Sequence, residues 1–410
     1  MNASNCKRAE NSSWAVYVFV VFAIFSSLSG VVGWAICLIA CCGILYWHKY
    51  WSKYGKIPLV ACKKNTKLDK FLERHISTFR HPYMPLYWCP GARAITIIRY
   101  FVPCVGHLEL KREILHADDG GIFGVDWCHN KSSSQYSEPS TRPTIIIVPG
   151  LSSTPESGYI KSMTLCLVEK GFRVVVLIYR GLGNLKLKTP KTHCATHTSD
   201  LATLVDVVHE RFPNAKLYCI GASLGALIVG RYMSERGDDV RIDAGLLFAC
   251  SFHPPICMEE FELWSNKLLL NFQVTQGLKE NYRRHSHVFE SVVDHEKVEK
   301  SAFLRDFDTH FTAPVFGYKT TEDYFNDSIF CGDKMENVKR PLLCVNSNDD
   351  PFSPERGLPK MEVTQTENVA LVMTYGGGHV SHLDGWNPFS KSYFEKIMVE
   401  YFDAMIQGKY

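Results

Sequence analysis

No Cys-x-x-Cys pair and no regular cysteine spacing occurs in this chain, although it holds 15 cysteines. A secreted disulfide scaffold shows denser, paired cysteines in a shorter chain. Cys166, Cys219, Cys250 and Cys344 instead fall in or beside apolar segments, where free thiols pack as small hydrophobes. Reduced thiols in turn favour a cytosolic catalytic domain. A strong net charge is missing too: 45 basic against 42 acidic residues leave +3. That is too little to make nucleic acid the main partner. There is no internal repeat, which sets aside solenoids and propellers. The 46% share of hydrophobic residues excludes a disordered chain and lets 410 residues bury a large core.

Charge is also absent from one long stretch. Between Asn11 and Trp47 there is neither a charged residue nor a histidine. As one helix, residues 14–47 would reach roughly 50 Å, against a hydrocarbon core of about 30 Å. Trp14 and Tyr17 stand at one end and Tyr46, Trp47, Tyr50 and Trp51 at the other, as in an aromatic belt. The run is longer than a signal-peptide core, and a hairpin turning at Ser26–Gly30 would leave arms too short to cross. We therefore expect a tail over 1–13 and a single membrane anchor over 14–47. Lys49, Lys53, Lys56, Lys63, Lys64 and Lys67 follow it, whereas Lys7 and Arg8 precede it. Positive charge at the cytosolic side then puts the main domain in the cytosol. Asn2 and Asn11 open glycosylation sequons on the tail.

Residues 48–110 are basic, then rich in proline and aromatics, and read as an irregular lead-in that packs on the domain. Arg112–Trp127 reads as a hairpin around an Asp-Gly-Gly turn, and His129–Pro143 as a loop. Short β-branched runs then recur at Thr144–Val148, Arg173–Ile178, Lys216–Ile220, Ala244–Phe248, Leu342–Val345 and Val369–Thr374. Helix-period segments separate several of them, such as Thr198–Phe212, which Thr198 or Ser199 could cap. Strands buried on both faces and alternating with helices predict a mostly parallel α/β sheet. The rhythm breaks over about 251–340, where a helical insertion is expected to cap the sheet edge.

The third run enters Gly221-Ala222-Ser223-Leu224-Gly225. The pentapeptide Gly-x-Ser-x-Gly is weak alone, but here an apolar strand runs into it and a helical segment leaves it. That setting is a nucleophile elbow, with Ser223 at the start of a helix. A hydroxyl is a weak nucleophile and needs a base. Two later strand ends offer partners: Asp349 and Asp350 after Leu342–Val345, and His379 after the glycines 376–378. His379 and His382 lack a local third ligand for zinc, and His379–Asp384 fits the acyltransferase pattern His-x4-Asp only in form. An oxyanion hole requires two donors. The N–H of Leu224 is one. Pro149 has no N–H, so Gly150 or Leu151 supplies the other, and Leu151 is favoured.

The motifs "VPGLSST", "SGYI", "GFRVVVLIYRGLGN", "GASLGALIVGRYM", "FDTHFTAPVFGYKTTEDYF", "NSNDDPFSP" and "YGGGH" together resemble AB-hydrolase family 4. These are membrane-anchored α/β-hydrolase domain-containing proteins, here of the phospholipase and medium-chain esterase branch. The resemblance runs from about Leu110 to the C-terminus. It implies an α/β-hydrolase domain over 111–410 and a serine hydrolase of lipid esters, such as medium-chain or oxidised phosphatidylcholines. The triad it implies is Ser223, Asp350 and His379, since the acid of such enzymes commonly stands four residues before a proline, here Pro354. It implies no cofactor and no metal. It also implies an endomembrane protein with its catalytic domain on the type II side, opposite to the charge argument. Acyl transfer to an alcohol would use the same triad, and a tethered protein without catalysis is the reading from another class.

Overall fold

The computed structural model describes residues 31–104, 106–131 and 133–410. The expected tail, the first part of the anchor (14–30) and both sequons lie outside the described residues. The described residues up to Lys56 form one compact unit and Ile57–Tyr410 a second. In the first, Val31–Tyr54 is a helix on which Trp34, Leu38, Ile39 and Leu45 are exposed. It also contains His48, Lys49 and Lys53. Among the described residues, no helix is long and apolar enough to cross a membrane.

The second unit is built on one sheet. Its strands are β1 (Leu59–Ala61), β2 (Lys111–His116), β3 (Ile122–Cys128), β4 (Thr144–Val148), β5 (Arg173–Ile178), β6 (Leu217–Ala222), β7 (Ala244–Phe248), β8 (Leu342–Ser347) and β9 (Val369–Thr374). They lie in the order β1-β9-β8-β7-β6-β4-β5-β3-β2. The pairings from β5 through β4, β6, β7 and β8 to β9 are parallel. β2 and β3 add an antiparallel hairpin at one edge and β1 an antiparallel strand at the other. Alternate residues feed two apolar layers. Ile145, Ile147, Val174 and Val176 pack with Met163, Leu167, Phe394 and Met398. Ile146, Val148, Val175 and Leu177 pack with Leu204, Val205, Val229 and Met233. Burial on both faces is why these strands read as continuous β-branched runs. Each such side chain contributes about 1.5–3 kcal/mol by leaving water.

Four strands have the bounds that the apolar runs gave, β4, β5, β7 and β9. The helix expected over Thr198–Phe212 spans Ser199–Arg211, but neither expected side chain caps it. Thr198 Oγ1 donates to Glu235 at 2.7 Å, a tertiary contact, and Ser199 Oγ pairs locally with His197 Nε2 at 2.9 Å, so both hydroxyls are engaged elsewhere. Between β7 and β8 the chain is helical, with Pro254–Phe261, Phe272–His285, His295–Lys300 and Thr321–Asp327 among its segments. Leu278, Tyr282, Phe289, Val298, Phe307 and Phe311 from this stretch form an apolar cluster of their own, and Leu151 packs on it. Asn281 Nδ2 donates to Ser152 Oγ at 3.3 Å and His285 Nε2 meets Gly181 O at 3.0 Å. The insertion thus rests on the loops that follow β4 and β5.

The segment ahead of β2 is more regular than expected. Besides β1 it holds the helices Lys67–His75 and Ala92–Phe101. The prolines and aromatics at 82–90 obscure the helical period of "ARAITIIRYF", whose buried residues, Ile95 and Arg99, stand four apart. Arg99 reaches Glu395 of the C-terminal helix Tyr393–Ile406 at 2.9 Å, with both side chains buried. A buried ion pair broken on one side leaves an uncompensated charge. Arg99→Ala is therefore expected to cost about 3–5 kcal/mol, read as a lowered denaturation midpoint. An unchanged midpoint would show that the pair adds nothing to the fold.

Candidate active site

The turn between β6 and the helix Leu224–Arg236 is set by two glycines. A Cβ on Gly221 would lie 2.3 Å from Gly225 O, and one on Gly225 would lie 2.1 Å from Val148 O. Only hydrogen fits at either position. Between them Ser223 takes φ 53° and ψ −117°, a conformation that costs on the order of 1–3 kcal/mol for a residue with a side chain. The Ser223 N–H is tied back to Phe248 O of β7 at 2.8 Å. Its hydroxyl stands at the N-terminus of the helix, where free N–H groups and the helix dipole favour negative charge.

The structure brings Ser223, His379 and Asp350 together. His379 Nε2 lies 2.8 Å from Ser223 Oγ, and its Nδ1 lies 2.8 Å from Asp350 Oδ2 and 3.1 Å from Oδ1. The Asp350 carboxylate is fully buried and its Oδ1 also accepts the N–H groups of Phe352 at 2.7 Å and Ser353 at 3.2 Å. It is a turn-forming aspartate and an imidazole partner at once. With Nδ1 donating to the carboxylate, Nε2 is free to accept from the Ser223 hydroxyl. Phe352 stacks on the imidazole at 4.3 Å, 24° from parallel. Asp349 has a different partner: its Oδ1 accepts the Gly378 N–H at 3.1 Å.

The loop after β4 comes up against the serine, for a Cβ on Gly150 would lie 3.2 Å from Ser223 Cβ. Two tyrosines, the buried Tyr179 and the half-buried Tyr159, fix that loop. Tyr179 donates its hydroxyl to Pro149 O at 2.6 Å, and Tyr159 Oη accepts the Gly150 N–H at 2.9 Å. The Gly150 donor is thereby occupied. This favours Leu151 over Gly150 as the partner of the Leu224 N–H, which sits at the first helical position and has no intrahelical acceptor. Burial pushes both phenols above their ordinary value of 10.0, so they stay protonated and hold the loop as neutral groups.

Sequence reasoning missed Tyr159, Tyr179 and Thr96. The last stands on the helix Ala92–Phe101 and accepts the His379 N–H at 2.8 Å. Their residue types carry no local signal, and the contacts of Tyr179 and Thr96 span 30 and 283 residues. His382 has a separate place. It is fully buried, with Nε2 2.9 Å from Thr374 Oγ1 and its ring against Tyr83 and Phe248. Asp384 pairs with Lys396 at 2.6 Å. Among the described residues no group of His, Cys, Asp and Glu is arranged to hold a metal ion.

Comparison with known proteins adds four findings. The family profile described as serine aminopeptidase, S33 (Hydrolase_4) matches residues 139–384. Phospholipase ABHD3 of Homo sapiens is 33% identical over 375 residues, covering 92% of this chain and 91% of the relative. Protein abhd-3.2 of Caenorhabditis elegans is 28% identical, covering 89% and 96%. Among solved structures, the Pyrococcus furiosus esterase Pf2001 aligns with a TM-score of 0.47 at 15% identity, over 74% of this chain and 98% of its own.

The buried His382 gives a test by pH. Burial lowers His382 from an ordinary 6.5 to about 3, so the folded chain refuses a proton that the unfolded chain accepts. Its contribution to stability is whole above about pH 6.5 and falls as the pH drops towards about 3. His382→Gln keeps a hydrogen-bonding group for Thr374 and removes the titration. Denaturation midpoints measured across that window are expected to fall less steeply for His382→Gln than for the unaltered protein. Parallel slopes would show that His382 is not buried as a neutral imidazole.

Proposed function

Because the chain belongs to the α/β-hydrolase domain-containing proteins, in their phospholipase branch, and is an ester hydrolase, we propose that it cleaves acyl esters of lipids with Ser223, His379 and Asp350 as its triad. The observation that carries this reading is the continuous relay from Ser223 Oγ to His379 Nε2 at 2.8 Å and from Nδ1 to Asp350 at 2.8 Å. Ser223 Oγ attacks the ester carbonyl while His379 Nε2 takes its proton. The oxyanion is received by the N–H groups of Leu224, the first residue of the helix, and Leu151. Asp350 stabilises the imidazolium. His379 then protonates the departing alcohol, and the acyl group remains on Ser223. Water attacks that ester, giving its proton to His379, and the fatty acid leaves as Ser223 regains the proton.

A lipid substrate is supported by the phospholipase names of the relatives and by the apolar cluster inside the insertion. Its aromatic cluster meets Leu151, and Trp264, Leu268 and Leu269 on the same insertion are exposed. We read residues 251–340 as the cap that shapes the acyl pocket. The membrane anchor over 14–47 is part of the same proposal, supported by its uncharged sequence and by the exposed apolar side chains of Val31–Tyr54. The lysines after it support a cytosolic catalytic unit.

Two measurements check these points. With a short-chain acyl ester, Ser223→Ala and His379→Ala are each expected to lower kcat by about 10⁴-fold or more, and Asp350→Asn somewhat less. Asp349→Asn is expected to stay within about tenfold of the unaltered enzyme. Near-normal turnover by Ser223→Ala or His379→Ala would end the triad reading. After an alkaline carbonate wash the full-length chain is expected to stay with the membrane pellet, and its release to the supernatant would end the anchor reading.

A further inference from the structure

The loop that carries His379 has almost no regular structure to hold it. Gly376, Gly377 and Gly378 have φ of 111°, 140° and 62°, and Val380 and His382 have φ of 44° and 48°. Such a loop holds an imidazole in one place only if neighbours fix its backbone. From the sheet side, Ser347 Oγ donates to Gly378 O at 3.1 Å and Asp349 Oδ1 accepts Gly378 N–H at 3.1 Å. From another element comes the helix Ala92–Phe101, which lies between β1 and β2 in the chain.

That helix grips the loop at three points. Thr96 Oγ1 accepts the His379 N–H at 2.8 Å while donating its own proton to Ala92 O at 2.7 Å. With its one hydrogen committed, the hydroxyl meets His379 as an acceptor, so the polarity of the contact is fixed. Ser381 Oγ donates to Ile95 O at 3.1 Å. At Gly378 the approach is so close that a Cβ would lie 2.5 Å from Thr96 Oγ1 and 2.6 Å from Ala92 O. The helix itself is immobilised at both ends. Arg93 Nε donates to the buried Asn266 of the insertion at 2.6 Å, and Arg99 pairs with the buried Glu395.

We propose that Thr96 is a positioning residue for the reaction. It sets the backbone of His379, and so the placement of Nε2 against Ser223 Oγ. The segment between β1 and β2 then belongs to the active site and is not a spacer. The proposal rests on the triad reading above, since it assigns Thr96 a task only if His379 is the base. A displaced base lowers the rate of proton transfer and leaves ground-state binding of the ester intact.

The test uses full-length, detergent-solubilised protein and a short-chain acyl ester. Thr96→Ala is expected to lower kcat by about tenfold or more with KM within about twofold. Thr96→Ser, which restores the hydroxyl, is expected to recover kcat to within about twofold of the unaltered enzyme. If Thr96→Ala lowers the thermal midpoint so far that the protein is unfolded, Thr96→Cys takes its place, because its sulfur fills the space but accepts weakly. Unchanged kcat in the hydroxyl-free variant overturns the proposal, as does a serine variant no better than it. His379→Ala in parallel separates the two ideas. If His379→Ala is inactive and Thr96→Ala is normal, only the role of Thr96 fails, whereas an active His379→Ala removes the triad reading itself.

Discussion

The arrangement depends on a steric constraint at the end of β6. Gly225 lies so close to Val148 O, and Gly221 to Gly225 O, that neither position admits a side chain. Those contacts press the first turn of the helix Leu224–Arg236 against β4 and force Ser223 into a positive φ. The strain is local and the core offsets it: β4 and β6 are buried over their whole length between two apolar layers. A rigid sheet therefore holds a serine in a conformation it would not take alone, with its hydroxyl clear of the backbone and above the helix N-terminus.

Everything else at the site is brought to that hydroxyl by the parallel topology. Parallel strands put their C-terminal ends along one edge, so the turns after β4, β8 and β9 deliver Leu151, Asp350 and His379 to the same place from distant parts of the sequence. Each is then fixed by a contact outside its own strand. Tyr159 and Tyr179 hold the β4 loop, the turn N–H groups of Phe352 and Ser353 hold Asp350, and Thr96 meets the backbone of His379. Asp350 and His379 are buried and Ser223 is half-buried, and the bond between the two buried groups is strong because water does not compete for it.

Local rules account for what the sequence disclosed. The β-branched runs were readable because the strands are buried on both faces, and the Gly-x-Ser-x-Gly turn because its glycines answer a steric demand. Asp349 and Asp350 were harder to separate. They share one turn, each carboxylate is engaged in the histidine loop or its imidazole, and only the direction of the side chains distinguishes them. His379 and His382 differ in the same way, one bonded to Ser223 and the other sealed against Thr374, Tyr83 and Phe248. Contacts between distant segments stayed hidden. The strand Leu59–Ala61 is too short to show alternation, the helix Ala92–Phe101 follows a stretch of prolines and aromatics, and Thr198 caps nothing because Glu235 takes its hydroxyl.

The central claim is that Ser223 is the residue made nucleophilic by this relay. It is tested most directly by treating the full-length protein with a fluorophosphonate and mapping the adduct by peptide mass spectrometry. A single stoichiometric adduct is expected on the peptide that contains Ser223, and none at that serine in His379→Ala. An adduct on another residue, or no adduct on folded protein, would contradict it.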